Sequence, residues 1–230
     1  MSPVEYTSIE LFGILFEEPM TAATDLLTAS VCLFAFLKLR QQSRTDAAFR
    51  YYYHYFLFMA LGTACAAFLS HAILYWSGYN WKTLGWTFSA IGIFCIENSA
   101  LHFYENTTQN KKWHWLFIFF KIKLALFVAC LAFPMTRVFE TVQINSTIGI
   151  AGIVFPIFAF LFWKTRRKSF QLVVLGLGLS FVTGLVFNAE ITFHKYFNYH
   201  DLGHVLMASA SLVLYFAGVQ LTKETPLQNV

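Results

Sequence analysis

The stretch from residue 201 to residue 221, DLGHVLMASASLVLYFAGVQL, is a nearly uncharged run long enough to cross a lipid bilayer as a helix. Such a crossing needs about 20 predominantly apolar residues. Six further runs of this kind precede it, near residues 19–38, 52–77, 83–104, 113–133, 143–163 and 169–192. None shows the alternation over about ten residues that is typical of a membrane β-strand. The sequence therefore predicts an all-α membrane protein, a single domain of seven transmembrane helices over residues 19–221.

The composition of the whole chain excludes an ordinary soluble domain. Of the 230 residues, 57% are hydrophobic and only 12% are charged, whereas a globular domain has about 25% charged residues. The net charge of +4 comes without the interleaved basic and aromatic residues that a nucleic-acid groove needs. We therefore expect membrane lipids as partners and no nucleic acid. The cysteines are expected to be buried thiols, because all four lie in apolar runs: Cys32, Cys65, Cys95 and Cys130.

The distribution of Lys and Arg predicts the orientation, because short cytoplasmic loops carry these residues in excess. Eleven of the 16 fall on one side: Lys38, Arg40, Arg44, Arg50, Lys111, Lys112, Lys164, Arg166, Arg167, Lys168 and Lys223. We therefore expect the N-terminus outside and residues 222–230 as a cytoplasmic tail. Residues 1–18 lack the basic region and cleavage site of a signal peptide. They are expected to form an interfacial segment whose apolar side chains face lipid.

Polar residues at membrane depth are few, and each is costly there. Glu97 and Asn98 lie in the third run, and Lys121 and Lys123 lie in the fourth. At about 1.5 Å per residue, Glu97 and Lys121 both lie about 12 Å from the inner ends of their runs, so they can pair across neighbouring helices. Such a pair would fix the helix register. Alternatively, the lysines extend to the membrane interface, or these residues form the midplane site of a small proton-coupled transporter.

Histidines gather at the outer end of the predicted bundle. His200 and His204 are four residues apart, so one helix face carries both imidazoles, and two imidazoles at this spacing can share a metal ion. His71 ends the second run at a matching depth. Three imidazoles with an open fourth position are what zinc needs to activate water. The sequence therefore predicts a zinc site at His71, His200 and His204, with interfacial histidines that bind no metal as the alternative.

Other polar residues at the same end are candidates for supporting roles. Asp201 is either a catalytic group or the N-cap of the last helix. Glu190 and His194 are also four residues apart, which favours a general base and a partner that orients a ligand histidine, unless both lie in a solvated connector. Ser70 is a candidate catalytic residue beside His71, although neighbouring residues on a helix point about 100° apart. Acidic residues at the start of the first helix, whose ordinary role is to stabilise a helix N-terminus, are candidate supports of the metal site: Glu17 and Glu18.

These features resemble a superfamily of seven-helix membrane hydrolases that includes the alkaline ceramidases and the adiponectin/progestin receptors. The resemblance rests on His71 in FLSHAILY and on His200 and His204 in YHDLGHVLMASASL. A looser match is the acid in FEEPMTAATDLL, Glu17 or Glu18. The resemblance implies that the three histidines bind zinc at the outer leaflet and that the chain hydrolyses a lipid amide or ester.

The sequence departs from that superfamily at two positions. Its members usually have a serine four residues before the histidine of the second span, where this chain has Ala67. They also have an aspartate near the start of the third span, but no acid lies between His71 and Glu97 here. These departures favour the alternative of a receptor or sensor that has the same bundle and no catalytic activity.

Overall fold

The computed structural model describes residues 8–11, 13–194 and 196–224. Seven long helices make up most of this part of the chain. They are α1 (Pro19–Leu39), α2 (Ala47–Ala72), α3 (Lys82–Thr108), α4 (Leu116–Ala132), α5 (Phe139–Thr165), α6 (Lys168–Asn188) and α7 (Tyr199–Lys223). A short helix (Leu74–Ser77) and a 3-10 turn (Tyr79–Trp81) connect α2 to α3.

Six of the seven helices, all except α4, are long and apolar enough to cross a membrane. The helix α4 has 17 residues, and Lys121 and Lys123 interrupt its apolar run. Together, the six apolar helices indicate a multi-pass membrane protein. This confirms the prediction of a helical protein that crosses the membrane several times.

The N-terminal segment forms a small β-hairpin, which the expectation of an all-α chain did not include. Strand β1 (Ser8–Leu11) pairs antiparallel with β2 (Ile14–Glu17). Gly13 has a φ of 75° in the turn, a conformation that glycine adopts without steric cost. The predicted interfacial segment also included residues 1–7 and 12, which lie outside the described residues.

The helix ends differ from the predicted runs for local reasons. Asp46 caps α2, because its side chain accepts a hydrogen bond from the backbone N–H of Phe49. The helix therefore begins at Ala47, several residues before the apolar run. The helix α6 ends at Asn188, before the end of the predicted run at residue 192. Glu190, just after this helix, has a left-handed φ of 49°. A positive φ interrupts the right-handed helix, so residues 189–192 are not helical.

The helices alternate in direction, so the bundle has two distinct ends. One end, named the site end, carries the hairpin and the first turns of α1, α3, α5 and α7. There, Arg137 donates a 2.6 Å hydrogen bond to Oδ1 of Asn80, which joins the connectors before α3 and α5. The far end carries the last turns of the same helices. There, Arg44 donates a 2.8 Å hydrogen bond to the backbone carbonyl of Leu221, and Ser169 donates one to the Glu224 carboxylate.

Most of the tightly packed core lies toward the far end. Its fully buried side chains include Leu39, Phe49, Tyr52, Phe103 and Phe170. Gly218 allows α7 to approach α1 and α2 closely, since a Cβ there would come within 2.8 Å of Leu39. Small residues at helix contacts allow this close packing in membranes. The far end of the bundle is therefore closed by apolar packing.

A buried ion pair joins α3 to α4 in the middle of the bundle. Nζ of Lys123 lies 2.9 Å from Oε1 of Glu97, and it also donates a 2.8 Å hydrogen bond to Oδ1 of Asn145 on α5. The partner of Glu97 is therefore Lys123 and not Lys121, which is exposed. The two lysines point about 200° apart on the helix, so only one of them can face α3.

The helix α5 approaches this ion pair through a glycine. Gly149 lies in a π-helical segment (Thr147–Val154), and a Cβ there would come within 2.8 Å of Oε1 of Glu97. The neighbouring Asn98 is also buried, but its amide donates a 2.6 Å hydrogen bond to the backbone carbonyl of Phe94. Asn98 is therefore engaged within its own helix.

Candidate metal centre

The helices α2 and α7 bring the predicted histidines together at the site end. His71 lies at the end of α2, and His200 and His204 lie in the first two turns of α7. The ring centroid of His71 is 6.3 Å from that of His204 and 6.5 Å from that of His200. The helix α1 packs between α2 and α7, so its side chains reach the same space.

The last turns of α2 form a π-helical segment (Ala66–Ala72) that contains His71. Such segments are uncommon and frequently occur at functional sites. Ser70 lies in the same segment and is buried. Among the described residues, however, its hydroxyl makes no hydrogen bond to any of the three histidines. The structure therefore brings His71, but not Ser70, into the cluster.

Asp25 on α1 lies between two of the histidines, although the sequence analysis did not include it in the site. Its Oδ2 atom is 3.7 Å from Nε2 of His71, and its Oδ1 atom is 3.5 Å from Nε2 of His204. The residue is only 1% exposed. Oδ2 has no hydrogen-bond partner within the described ranges. This is an orphaned carboxylate oxygen in the membrane-spanning part of the chain.

The partners of Nδ1 in the two rings favour the tautomer that carries the N–H on Nδ1. The Thr24 hydroxyl lies 3.0 and 3.1 Å from two backbone carbonyls of its own helix, to which it can donate, and 3.2 Å from Nδ1 of His204, from which it can accept. Nδ1 of His71 donates to the Glu18 carboxylate. In a neutral imidazole whose Nδ1 carries the N–H, Nε2 is left with a lone pair.

These tautomers place acceptors against acceptors around Asp25. With Asp25 ionised and both rings neutral, two imidazole lone pairs face two carboxylate oxygens. The separations of 3.5 and 3.7 Å also exceed the usual N–H···O length of 2.7–3.2 Å. Such an arrangement is unfavourable unless a cation lies among the acceptors. Two ligands bound to one tetrahedral zinc ion at 2.0–2.1 Å lie about 3.3 Å apart.

The donor set fits zinc in its chemistry, since imidazole and carboxylate are both zinc ligands. In the described part of the chain, no group of three or more His, Cys, Asp or Glu side chains already has the geometry of a metal site. Imidazole centroids around one zinc ion would lie about 5 Å apart. The ring of His71 would therefore have to approach those of His200 and His204 by about 1 Å.

Aromatic packing holds His200 against α6. Its ring centroid is 5.2 Å from that of Phe187 and 4.1 Å from that of Tyr199. Gly203 makes room for this contact, because a Cβ there would come within 2.2 Å of the Phe187 ring. The ring nitrogens of His200 have no hydrogen-bond partner among the residues that the structure describes. They are therefore available to a ligand.

The N-cap of α7 is Asn198 and not Asp201, which lies at the third helical position and takes part in the cap from there. Oδ2 of Asp201 accepts a 2.7 Å hydrogen bond from the backbone N–H of Asn198, whose side chain accepts one from the backbone N–H of His200. This reciprocal pair is a capping box. Asp201 therefore positions the first turn of α7, and through it His200, whereas its Oδ1 atom is buried without a hydrogen-bond partner among the described residues.

Glu190 and His194 do not join the cluster. Both are exposed in the connector between α6 and α7. The expectation that they share a helix face fails because α6 has already ended at Asn188. Nδ1 of His194 instead accepts a 3.3 Å hydrogen bond from the backbone N–H of Tyr196.

The two acids before α1 have different partners. Glu18 contacts His71 directly, as described above. Oε2 of Glu17 accepts a 2.8 Å hydrogen bond from the backbone N–H of Tyr75, just after α2. The hairpin is therefore attached to the connector that follows His71.

A family model matches residues 20–223, which span every helix from α1 to α7. The chain belongs to this family, DUF6962. The family is described only as one of unknown function. No curated protein and no solved structure matches the chain. The DUF6962 match includes Asp25 and the three histidines, whereas Glu18 and the hairpin precede it.

Proposed function

We propose that this protein is a zinc-dependent integral membrane hydrolase that cleaves a lipid amide or ester. The observation that carries the proposal is the buried group of facing acceptors formed by Asp25, His71 and His204, which favours a bound cation. The zinc ion would be held by the three histidines, His71, His200 and His204. When bound, zinc polarises a carbonyl and makes its bound water more acidic.

The residues around the histidines have roles that follow from their contacts. The Glu18 carboxylate and the Thr24 hydroxyl each hold one Nδ1–H, which directs the opposite nitrogen toward the metal position. Groups of this kind commonly orient metal-binding histidines. Phe187 covers His200 on the side of α6 and so excludes water there. These residues keep the donors oriented in a largely dry site.

A lipid substrate is supported by open space on α6 one turn from Phe187. Phe181 contacts Phe155 on α5, whereas Phe187 contacts Gly203 on α7. Gly184 is three residues from each, so at 100° per residue it points midway between these two directions, and it is exposed on the surface of α6. A Cβ at Gly184 would meet no atom within 4 Å. We infer that this space takes an acyl chain of the substrate.

The expected orientation is part of the proposal. We propose seven crossings, with α4 as the shortest, the N-terminus outside and the metal centre at the outer leaflet. A helix of 17 residues is about 26 Å long, close to the thickness of the hydrocarbon core. Aromatic side chains are also exposed around the site end, namely Trp76, Trp81, Phe133 and Phe193. Aromatic residues are enriched where a membrane protein meets the interface.

Metal analysis of the purified protein tests the proposal directly. We expect about one zinc ion per wild-type chain and much less in His204→Ala. The matched control is His114→Ala, because His114 is an exposed histidine at the far end. Wild-type protein without stoichiometric zinc would refute the hydrolase.

Turnover of a labelled ceramide then separates an enzyme from a receptor. We expect hydrolysis by the wild type and none by His71→Ala. Zinc in the wild type without turnover of ceramide or of a matched lipid ester would instead favour the non-catalytic receptor. Loss of function in Glu97→Gln with zinc retained would favour the transporter.

A further inference from the structure

We propose that Asp25 binds the metal ion directly and so adds a carboxylate ligand from α1. This inference rests on the proposed zinc site, to which it adds a fourth residue on a third helix. It concerns the one acidic side chain, among the residues that the structure describes, that faces two histidines at once.

The distances favour a ligand over a hydrogen-bonding partner. A carboxylate that supports a metal-bound histidine accepts a hydrogen bond from the ring nitrogen that does not touch the metal. That nitrogen is Nδ1 in both rings, and it is already held by Glu18 in His71 and by Thr24 in His204. Asp25 faces the other nitrogen of each ring, Nε2, which carries the lone pair. Its two oxygens therefore lie on the side where the metal would bind.

The charge distribution around Asp25 also favours a cation. Within the described residues, no Lys or Arg forms an ion pair with Asp25, and its interacting acidic neighbours are Glu18 and Asp201. A buried carboxylate without a positive partner is strongly unfavourable in a membrane-spanning segment. A divalent ion bound to Asp25 would neutralise this charge where it lies.

Helix periodicity explains how α1 delivers this carboxylate. Glu18 and Asp25 are seven residues apart, two turns along one helix face, and Thr21, Thr24 and Thr28 follow the same stripe. The Thr28 hydroxyl donates a 2.9 Å hydrogen bond to the backbone carbonyl of His204, which attaches this stripe to α7.

Cobalt titration of the metal-free protein tests whether Asp25 is a ligand, because the visible spectrum of bound Co²⁺ reports the atoms that coordinate it. We expect Asp25→Asn to lower Co²⁺ affinity by more than about 100-fold and to change the spectrum of any ion that binds. Glu18→Gln should lower affinity by about 10- to 100-fold, as loss of a supporting contact does. It should leave the spectrum unchanged. Glu140→Gln, an exposed acid at the start of α5, is the matched control.

A cysteine at position 25 gives a second, positive readout. Asp25→Cys should produce a near-ultraviolet thiolate-to-cobalt charge-transfer band, which requires a direct bond from residue 25 to the ion. Thermal unfolding of each metal-free variant checks that it folds as the wild type does.

The outcomes separate this inference from the proposed function. Wild-type Co²⁺ affinity and spectrum in Asp25→Asn would overturn the inference and leave the zinc site standing, as would cobalt bound to Asp25→Cys without the new band. Wild-type protein that binds neither zinc nor cobalt would overturn both.

Discussion

The Thr24 hydroxyl on α1 lies 3.2 Å from Nδ1 of His204 on α7, and the opposite ring nitrogen, Nε2, faces Asp25. This contact links two helices whose residues are far apart in the chain, in the space where His71 also lies. The orientation of a donor atom is therefore set by a neutral hydroxyl, whose loss is easy to test without changing the charge of the site.

Replacing Thr24 with valine keeps the shape of the side chain and removes the acceptor. We expect zinc affinity to fall by at least about tenfold, because the His204 ring loses the contact that orients it. Competition with a zinc chelator measures the change. Thr183→Val is the matched control, since the Thr183 hydroxyl bonds only to Leu179 of its own helix. Equal losses in the two variants would contradict the orienting role of Thr24.

Replacing Glu18 with glycine separates backbone strain from metal support. Glu18 has a φ of 47° before Pro19, a left-handed conformation that costs a non-glycine residue about 1 kcal/mol. We expect the metal-free variant to be as stable as the wild type or slightly more stable, whereas its zinc affinity falls because His71 loses its partner. Thermal unfolding of metal-free protein and zinc titration measure the two effects. A variant that loses stability without losing zinc affinity would show that Glu18 has only a structural role.

Replacing Lys123 with methionine leaves Glu97 as an uncompensated buried carboxylate. Breaking one side of a buried ion pair costs about 3 kcal/mol or more, so we expect a clear fall in thermal stability in detergent. The control, Lys121→Met, should have little effect because Lys121 is exposed. Adding Glu97→Gln to Lys123→Met should restore part of the loss. A larger loss of thermal stability in Lys121→Met than in Lys123→Met would show that Lys121, and not Lys123, is the partner of Glu97.

Filling the space beside Gly184 tests the proposed acyl-chain position. Gly184→Leu should reduce turnover of a long-chain lipid amide by at least about tenfold and should affect a short-chain analogue much less. Gly178→Leu is the matched control, because a Cβ at Gly178 also meets no atom within 4 Å but points about 120° away from the Gly184 direction. Turnover at several chain lengths gives the comparison. Loss of turnover at every length would instead indicate damage to the site itself.

The helical membrane character of the chain was predictable because long apolar runs depend on local composition alone. The positions of the helix ends were less predictable, because they depend on single residues. Examples are Asp46, which caps α2, and Glu190, which follows α6 and has a positive φ. The choice between Lys121 and Lys123 was not predictable from depth. Both lysines lie at similar depth, and the rotation of α4 about its axis decides which of them faces Glu97.

The histidine cluster was partly predictable because the spacing of His200 and His204 matches one helical turn. Asp25 was not predicted because its position within the first apolar run gives no sign of a metal ligand. Its spacing from Glu18, together with the threonine stripe, marked a polar face inside an apolar run. Which neighbour that face meets depends on the packing of α1 between α2 and α7, and the spacing of residues within one helix does not contain that information.

Because the core is closed toward the far end, a small tilt of α7 there would produce a larger displacement at the site end. Gly218 holds α7 against α1 and α2, and His204 lies 14 residues nearer the site end, about 21 Å along the helix. A tilt of about 3° around the contact at Gly218 moves His204 by about 1 Å. This is the distance by which the ring of His71 and the other two histidine rings would have to approach one another around one ion. A rotation of α7 by this amount about Gly218 would therefore be large enough to close that distance between α7 and His71, with the far-end packing intact.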